Sequence, residues 1–192
     1  MPADKRAMRD AVRAARAAIG DTDRAAASEA AKVRAFSHAN VAGARAVLAY
    51  AATAEEIDAS PLVSELRARG ARIAYPRVCG PGELTLHWVD AESELAAGYC
   101  GIVEPGPDAS EASIEDFDLV IVPGAAFDGT CARLGMGGGF YDRLLARLGP
   151  GTFTVALAYD EQIVPCVPVE GHDVALDAVF TPTRTFSRLR RS

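Results

Sequence analysis

The sequence predicts an α/β domain with three layers, in which helices cover both faces of a mostly parallel sheet. Three observations lead to this fold class. Short apolar segments of strand length alternate with segments of helical periodicity. Residues 118–127 (DLVIVPGAAF) are almost continuously apolar, which is typical of a strand covered on both faces. Residues 44–76 form a strand, a helix and a strand of the size expected for a right-handed crossover.

The N-terminal part of the chain predicts two helices. The first is expected over residues 4–19, because apolar side chains recur on one helical face. These apolar residues are Met8, Val12, Ala15 and Ile19. A second, basic stripe on the same helix consists of Lys5, Arg9, Arg13 and Arg16. Asp21 and Thr22 are expected to cap the second helix, which ends near Phe36.

Strands and helices alternate through the rest of the chain. Strands are predicted at residues 44–50, 71–76, 84–89, 118–127, 152–159 and 174–181. One helix is expected from Ser60 and Pro61 to Gly70 and another at 141–148, whereas residues 101–110 predict a loop. This order predicts one domain over residues 1–192, a three-layer α/β/α structure with a Rossmann-like sheet. Ligands of such sheets bind beyond the carboxyl ends of the strands.

Composition and charge exclude several classes of protein. The net charge is −6, from 20 Lys and Arg against 26 Asp and Glu, so a nucleic-acid partner is not expected. The four cysteines are widely spaced and predict neither a zinc site nor a disulfide framework. No apolar run has the length of a membrane span, and the N-terminus lacks the apolar core of a signal peptide. We therefore expect a cytoplasmic protein with no membrane partner.

The stretch RLGMGGGFYDRLL, residues 133–145, contains four glycines in five positions. It lacks the lysine and hydroxyl residue of a P-loop, and it matches the dinucleotide fingerprint only in part, with Asp160 as the ribose-binding acid. The glycine N–H groups are suited to an anion at a helix start, beside the guanidinium of Arg133. Asp142 is placed to hold Mg²⁺ bound to that anion. A flexible surface turn is the alternative interpretation.

Six blocks of the sequence carry a resemblance to a known family. They are KRAMR (5–9), EEID (55–58), GIVEP (101–105), VPGAAFD (122–128), RLGMGGGFYDRLL (133–145) and HDVALDAV (172–179). In these blocks and in their order, the chain resembles 5-formyltetrahydrofolate cyclo-ligase, also called 5,10-methenyltetrahydrofolate synthetase. The resemblance spans nearly the whole chain, and Arg-Leu-Gly-x-Gly-x-Gly-x-Tyr-Asp is its most specific motif.

The resemblance implies an enzyme that converts 5-formyltetrahydrofolate and ATP to 5,10-methenyltetrahydrofolate, ADP and phosphate, using Mg²⁺. A formamide oxygen is a poor leaving group, so ATP first phosphorylates the formyl oxygen to an imidate intermediate. N10 then attacks the activated carbon and phosphate departs. Such a reaction depends mainly on positioning and charge neutralisation. The expected substrate is a folate, including polyglutamylated forms, and the expected assembly is a monomer.

The resemblance also implies roles for particular residues through their match to the family motifs. The catalytic residues are Lys5, Arg133 and Tyr141. The ATP-binding residues are Lys5, Arg9, Arg133, Leu134, Gly135, Met136, Gly137, Gly138, Gly139, Phe140 and Tyr141. The folate-binding residues are Ala51, Glu56, Met136, Gly137, Gly138, Gly139 and Phe140, with the Glu56 carboxylate on the aminopterin ring. The metal ligands are Asp142 and Asp173.

The chain departs from the family pattern at three positions. Cys131 stands where glycine is usual, Phe140 where tyrosine is common, and Cys100 near a position that is aromatic in some members. Two other functions stay open. One is a Rossmann-like enzyme for a dinucleotide or sugar phosphate, which has no need of Lys5. The other is a non-catalytic domain that binds folate or nucleotide as a regulator.

Overall fold

The computed structural model describes residues 5–91, 94–171 and 173–188. Its helices are α1 (Lys5–Ala17), α2 (Asp21–Phe36), α3 (Ala39–Ala42), α4 (Ser60–Ala68) and α5 (Phe140–Leu145). Its strands are β1 (Ala46–Leu48), β2 (Arg72–Gly80), β3 (Glu83–Trp88), β4 (Leu95–Ala97), β5 (Val103–Pro105), β6 (Glu111–Ala112), β7 (Leu119–Ile121), β8 (Ala126–Phe127), β9 (Arg133–Leu134), β10 (Phe153–Leu157), β11 (Ala178–Phe180) and β12 (Thr185–Ser187).

Eight of the described strands form one sheet in the order β12-β11-β10-β7-β1-β2-β3-β6. The five strands from β11 to β2 run parallel, and β12, β3 and β6 join antiparallel at the two edges. β7 and β10 are buried along their whole length, as continuous apolar runs predict for strands covered on both faces. The predicted mostly parallel, Rossmann-like sheet is confirmed.

Helices cover one face of the sheet more fully than the other. α2, α3 and α4 pack on one face, around a core that includes Ala31, Val41 and Leu62. The opposite core includes Leu144 and Leu145 of α5 and is otherwise formed mainly by strands and connecting segments. α1 packs in a third cluster, where Val12 meets residues of the β8–β9 hairpin. The α/β/α layering is therefore confirmed, with one layer that is poor in helix.

Four local features differ from their sequence prediction. The apolar run 118–127 is divided into β7 and β8, because Pro123 lacks the N–H that a ladder needs and β8 pairs with β9 instead. The predicted loop 101–110 contains β5, which pairs with β4. β12 adds a strand after the last predicted one. The predicted cap of α2 is wrong, because Gly20 precedes the helix and Asp21 already lies within it.

Among the described residues, no helix is both long enough and apolar enough to cross a membrane. The predicted single domain over 1–192 includes residues 1–4, 92–93, 172 and 189–192, which lie outside the described ranges. The single domain, the monomer and the cytoplasmic location stay predictions.

Candidate functional site

The candidate site lies at the carboxyl edge of the sheet, where the strand order reverses between β1 and β7. β1 continues into Tyr50 and Ala51, β7 continues towards Pro123, and all three residues line a cavity of about 470 Å³. Connections that leave neighbouring strands in opposite directions open a crevice there, which is where sheets of this kind bind ligands. The segment after β1 and the glycine stretch both reach the cavity.

Ten of the residues predicted for the site line this cavity. They are Ala51, Glu56, Arg133, Gly135, Met136, Gly138, Gly139, Phe140, Tyr141 and Asp142. Leu134 differs, because its buried side chain packs in the cluster that holds α1. Arg9 reaches the glycine loop from α1, and Lys5 pairs with Asp173 of the segment before β11. Asp173 lines a second cavity that Arg133 also lines.

The glycine loop, residues 135–139, has a backbone conformation that residues with a side chain rarely adopt. Gly137 and Gly139 have φ angles of +111° and +67°, in the left-handed region. Gly138 lies so close to Phe140 that a β-carbon would come within 2.7 Å of the ring. α5 begins directly after the loop, at Phe140. These constraints favour a loop of defined conformation over the alternative of a flexible surface turn.

Arg133 is the buried cation of the site. β9 pairs it with Phe127 of β8, and its side chain is 3% exposed. One terminal nitrogen donates to the Pro123 carbonyl at 3.1 Å, and the other is bonded to Asp142 Oδ1. Burial lowers the pKa of Arg133 and the Asp142 charge opposes this, so the guanidinium stays cationic. Within the described residues its buried Nε has no hydrogen-bond partner, which leaves a donor for a ligand.

α1 brings Arg9 to the glycine loop and Lys5 to the segment before β11. Arg9 Nε donates to the Gly135 carbonyl at 2.7 Å. Lys5 Nζ lies 2.9 Å from Glu170 Oε1 and 3.1 Å from Asp173 Oδ2. The hydrogen bond to Glu170, followed by the one to Asp173, raises the pKa of Lys5, although partial burial opposes the rise. α1 therefore contacts both the glycine loop and the segment that carries Asp173.

The two predicted metal ligands both lie near Arg133. Asp142 is bonded to it, and Asp173 accepts from Lys5 and from the Glu170 N–H at 2.8 Å. Both carboxylates act to raise the pKa of Arg133. In the part of the chain that the structure describes, no cluster of three His, Cys, Asp or Glu side chains would hold a metal ion. The donors fit Mg²⁺ bound through one or two carboxylates together with phosphate oxygens and water.

Glu56 is held at the part of the cavity wall that follows β1. Its Oε2 accepts from the N–H of Thr53 at 2.9 Å and from the Thr53 hydroxyl at 3.0 Å. Both bonds come from within the same turn, so the backbone of that turn sets the direction of the carboxylate. Glu56 thus presents its carboxylate to the cavity near Tyr50 and Tyr141. Burial, followed by the charge of Glu56, raises the pKa of each tyrosine.

Tyr141 presents a buried hydroxyl in the cavity wall. Among the described residues its Oη has no hydrogen-bond partner. Burial, followed by the charge of Glu56, raises the pKa of Tyr141 well above its ordinary value, and the positive charge of Arg133 opposes this. The hydroxyl is therefore protonated at neutral pH. A buried donor without a partner costs free energy that a ligand acceptor would recover.

Comparison with known proteins identifies the family of the chain. The model of the 5-formyltetrahydrofolate cyclo-ligase family matches residues 1–182. The chain belongs to this family. It is 34% identical over 151 residues to the 5-formyltetrahydrofolate cyclo-ligase of Mycolicibacterium smegmatis, covering 76% of this chain and 78% of that one. It is 38% identical over 136 residues to the Escherichia coli K12 cyclo-ligase, covering 68% and 74% of the two chains.

Solved structures agree with the cyclo-ligase family. The NMR structure of 5,10-methenyltetrahydrofolate synthetase from Aquifex aeolicus superposes with a TM-score of 0.84 at 30% identity, covering 98% of this chain and 95% of that one. The synthetase of Mycoplasma pneumoniae superposes with a TM-score of 0.74, covering 93% and 99%, and at 20% identity it shows the fold alone. As a cyclo-ligase family member the protein is an enzyme of the ligase class.

Two of the three departures from the cyclo-ligase pattern fall on left-handed backbone. Cys131 has a φ of +62° and Cys100 a φ of +54°. The first value favours glycine, the residue that the resemblance implies at position 131, since a β-carbon is strained there. The Cys131 turn is held by Asp128, whose Oδ1 accepts from the Thr130 N–H at 2.8 Å. Burial raises the pKa of the Cys131 thiol to about 11.

The third departure, Phe140, keeps an aromatic ring in the cavity wall. Its ring meets the Tyr99 ring edge-on, with 6.3 Å between the centroids. Tyr99 and Cys100 also line the cavity. Phe140 therefore contributes ring packing to this wall, without the hydroxyl of the tyrosine that the resemblance implies at this position.

Sequence reasoning assigned no role to Arg143, although it lies within the cyclo-ligase motif. Arg143 donates to the Gly138 carbonyl at 3.0 Å and to the Gly82 carbonyl at 2.8 Å. Gly82 forms the turn between β2 and β3. Arg143 thus ties the glycine loop to that hairpin, and only the fold reveals this because the two carbonyls lie 56 residues apart.

Asp160 does not support the dinucleotide interpretation. Its Oδ1 accepts from the hydroxyls of Thr181 at 2.6 Å and Thr183 at 2.8 Å. Asp160 is also not one of the residues that line the cavity. The Asp160 carboxylate, which in the sequence matches a ribose-binding acid, therefore stabilises the connection between β11 and β12.

Proposed function

We propose that this protein converts 5-formyltetrahydrofolate to 5,10-methenyltetrahydrofolate, using ATP and Mg²⁺ and releasing ADP and phosphate. The observation that carries the proposal is one cavity whose wall includes Arg133 with the glycine loop and also Glu56. Groups suited to phosphate and a carboxylate suited to an aminopterin ring thus share one space. The names of the Mycolicibacterium and Escherichia relatives support the substrate, and that of the Aquifex structure supports the product.

The formyl oxygen has to become a better leaving group before the ring closes. Transfer of the γ-phosphoryl group of ATP to this oxygen gives ADP and an imidate phosphate. N10 then forms a bond to the formyl carbon, the C–O bond breaks as phosphate leaves, and the N10 proton is released to solvent. Catalysis of such a sequence rests on holding the reacting groups together and on neutralising phosphate charge.

Three cations are proposed to bind the phosphates of ATP. Arg133 supplies a rigid fork with a spare buried Nε, and Lys5 and Arg9 approach from α1. In the structure Lys5 is paired with Asp173, and Arg133 with Asp142. Phosphate oxygens would replace these carboxylates as partners of the cations.

The same exchange supplies the proposed metal ligands. Asp142 and Asp173 would hold Mg²⁺ once Arg133 and Lys5 turn to phosphate. When bound, the ion neutralises phosphate charge during transfer. The ion pairs hold both carboxylates in place and give each cation a charged partner, so the site does not bury an unpaired charge.

Tyr141 is proposed as a hydrogen-bond donor to an oxygen of the substrate. Its hydroxyl is buried in the cavity wall without a partner among the described residues. Its raised pKa keeps the proton on the oxygen, so Tyr141 orients substrate and does not act as a base. Glu56 is proposed to bind the aminopterin ring, whose N–H groups match a carboxylate acceptor.

A direct assay tests the function. Protein is mixed with 5-formyltetrahydrofolate and MgATP, and the ultraviolet absorbance of the methenyl product is followed together with ADP release. We expect one ADP for each methenyl product and no product without ATP. Binding of ATP or folate with no product would favour a non-catalytic binding domain. Absence of both binding and product would refute the proposal.

We also propose that the protein acts as a monomer and accepts polyglutamylated folates in the cytoplasm. Sedimentation at assay concentration is expected to give the mass of one chain, 20.1 kDa. A series of substrates with increasing glutamate number tests whether polyglutamylated folates are accepted. Reaction of the monoglutamate alone would contradict this proposal.

A further inference from the structure

Four consecutive backbone carbonyls around Glu56 are each bonded to a side chain from another part of the fold. The carbonyls of Ala54 and Glu55 accept from Arg24 Nη1 at 3.3 and 3.2 Å. The Glu56 carbonyl accepts from the Tyr159 hydroxyl at 3.1 Å. The Ile57 carbonyl accepts from the Tyr50 hydroxyl at 2.8 Å. We call residues 54–57 the Glu56 segment.

Arg24, on the second turn of α2, also binds the end of α1. Its Nε donates to the Ile19 carbonyl at 3.0 Å, and its Nη2 donates to the Arg16 carbonyl. Arg16 and Ile19 belong to the last turn of α1 and to the connection that follows it. One guanidinium therefore joins the end of α1 to the Glu56 segment through four carbonyl oxygens.

The opposite part of α1 is held at the glycine loop. Arg9 donates to the Gly135 carbonyl at 2.7 Å, and Lys5 is paired with Asp173. α1 has 13 residues and is about 20 Å long. The helix thus extends from the groups proposed to bind ATP to the hydrogen bonds that Arg24 makes with the Glu56 segment. Arg16 reinforces this end, because its buried Nη2 lies 3.8 Å from Glu55 Oε2.

We propose that Arg24 is a positioning residue for folate binding, which sets the Glu56 segment against α1 so that the Glu56 carboxylate meets the substrate. This inference rests on the proposed function, in which Glu56 binds the aminopterin ring. Arg24 is not one of the residues that line the cavity, so its effect passes through the carbonyls that it holds. Its contribution is therefore to the affinity for folate and not to phosphoryl transfer.

A lysine cannot reproduce this arrangement. The guanidinium is planar, and its donors point in several fixed directions, here to four carbonyls and with its centre 5.7 Å from the Tyr159 ring centroid. An ammonium is a single point of charge at the end of a flexible chain. Arg24→Lys therefore keeps the charge and most of the apolar stem but loses the fork, which makes it the informative variant.

The test compares Arg24→Lys with wild type in the methenyl assay. We expect the KM for 5-formyltetrahydrofolate to rise about tenfold, since several hydrogen bonds that order the Glu56 segment are lost. The KM for ATP and the kcat are expected to change less than about twofold, since Arg24 touches no group proposed for phosphate. Tyr159→Phe removes one further bond to the segment and is expected to raise the same KM in the same direction.

Arg34→Lys is the matched control. Arg34 lies on the same helix, and its Nε donates to the Pro182 carbonyl at 2.8 Å, in the connection between β11 and β12. This variant also exchanges a fork for an ammonium on α2, but it is expected to leave both KM values unchanged. A rise in folate KM in this control equal to that of Arg24→Lys would overturn the proposal.

A double-mutant cycle separates positioning from general stability. If Arg24 acts through Glu56, Arg24→Lys in a Glu56→Gln background adds little to the folate KM, because the carboxylate that it positions is gone. Fully multiplicative effects would refute the proposal, as would a fall in kcat that follows the loss of thermal stability. The proposed function fails separately, through a wild-type protein that forms no methenyl product.

Discussion

Asp142→Asn tests whether Asp142 is a metal ligand, as proposed, or only a structural partner of Arg133. In the structure Asp142 Oδ1 accepts from Arg133, whose side chain is 3% exposed, while the Asp142 side chain is 32% exposed. The substitution keeps an oxygen that accepts this hydrogen bond and removes the negative charge. The stability cost is therefore the difference between a charged and a neutral acceptor.

That cost is small for a chain of this size. Hydrogen bonds to charged groups contribute about 1.5–3 kcal/mol and neutral ones about 0.5–1.5 kcal/mol, so the loss is about 1 kcal/mol. In a domain of this length such a loss lowers Tm by roughly 2–4 °C. Loss of a charged ligand to Mg²⁺ is expected to lower kcat on the order of 100-fold, equal to about 2.7 kcal/mol of transition-state stabilisation.

The assay follows methenyl absorbance at saturating folate while Mg²⁺ is varied at fixed ATP. Asp142→Asn is expected to need a higher Mg²⁺ concentration for half-maximal rate, and Tm is measured in parallel. Asp10→Asn is the control. Asp10 is an exposed aspartate on α1, and its Oδ1 lies 3.3 Å from Nη2 of the exposed Arg13. Wild-type turnover in Asp142→Asn, or a fall in Tm of more than about 8 °C, would refute the reasoning.

Three further predictions concern folate, thiols and acid. Glu56→Gln is expected to raise the folate KM about tenfold with little change in the KM for ATP, because a charge-assisted hydrogen bond becomes neutral; steady-state kinetics measure both. At pH 8 iodoacetamide is expected to modify exposed Cys79, Cys100 and Cys166 but not buried Cys131, whose pKa is about 11; mass spectrometry that finds native Cys131 alkylated would contradict this. Burial acts to raise the pKa of Asp128, but hydrogen bonds from Thr130, Val167 and Ala132 outweigh it and lower the pKa overall. The folded pKa thus lies below the unfolded one, so the stabilisation is present above about pH 4 and is lost as pH falls through the folded pKa. The stability difference between wild type and Asp128→Asn, from urea unfolding, is expected to shrink below that pH, and a constant difference would show that Asp128 does not titrate in this way.

Elements with strong local patterns could be predicted closely from the sequence. α1 occupies Lys5–Ala17 and α2 ends at Phe36, since amphipathic spacing over many residues defines helices well. The division of the apolar run 118–127 into two strands could not be predicted, because continuous apolar residues do not show that Pro123 ends the first strand and that the hairpin β8–β9 follows. Pairing of short strands such as β4 with β5 depends on distant partners that local patterns do not identify.

The candidate site was predictable to the extent that its residues form local motifs. The glycine loop and its flanking Arg133 and Asp142 are adjacent in sequence, so their spacing favoured an anion site, with a flexible surface turn as the alternative. Arg143 and Arg24 carried no such pattern, because each acts by donating to carbonyls of distant segments. A single charged residue on a helix is ordinarily a solvated surface group, and only its contacts distinguish it.

The sequence by itself determined the fold class, the glycine loop and the family, because these rest on periodicity and on motifs of adjacent residues. Tertiary structure alone decided how these parts meet. It brought Lys5 to Asp173, 168 residues away, and left the Tyr141 hydroxyl buried without a partner among the described residues. It also gave Cys131 its left-handed backbone and Arg24 its four carbonyls. Such contacts depend on the packing of elements far apart in the chain, which local residue patterns do not encode.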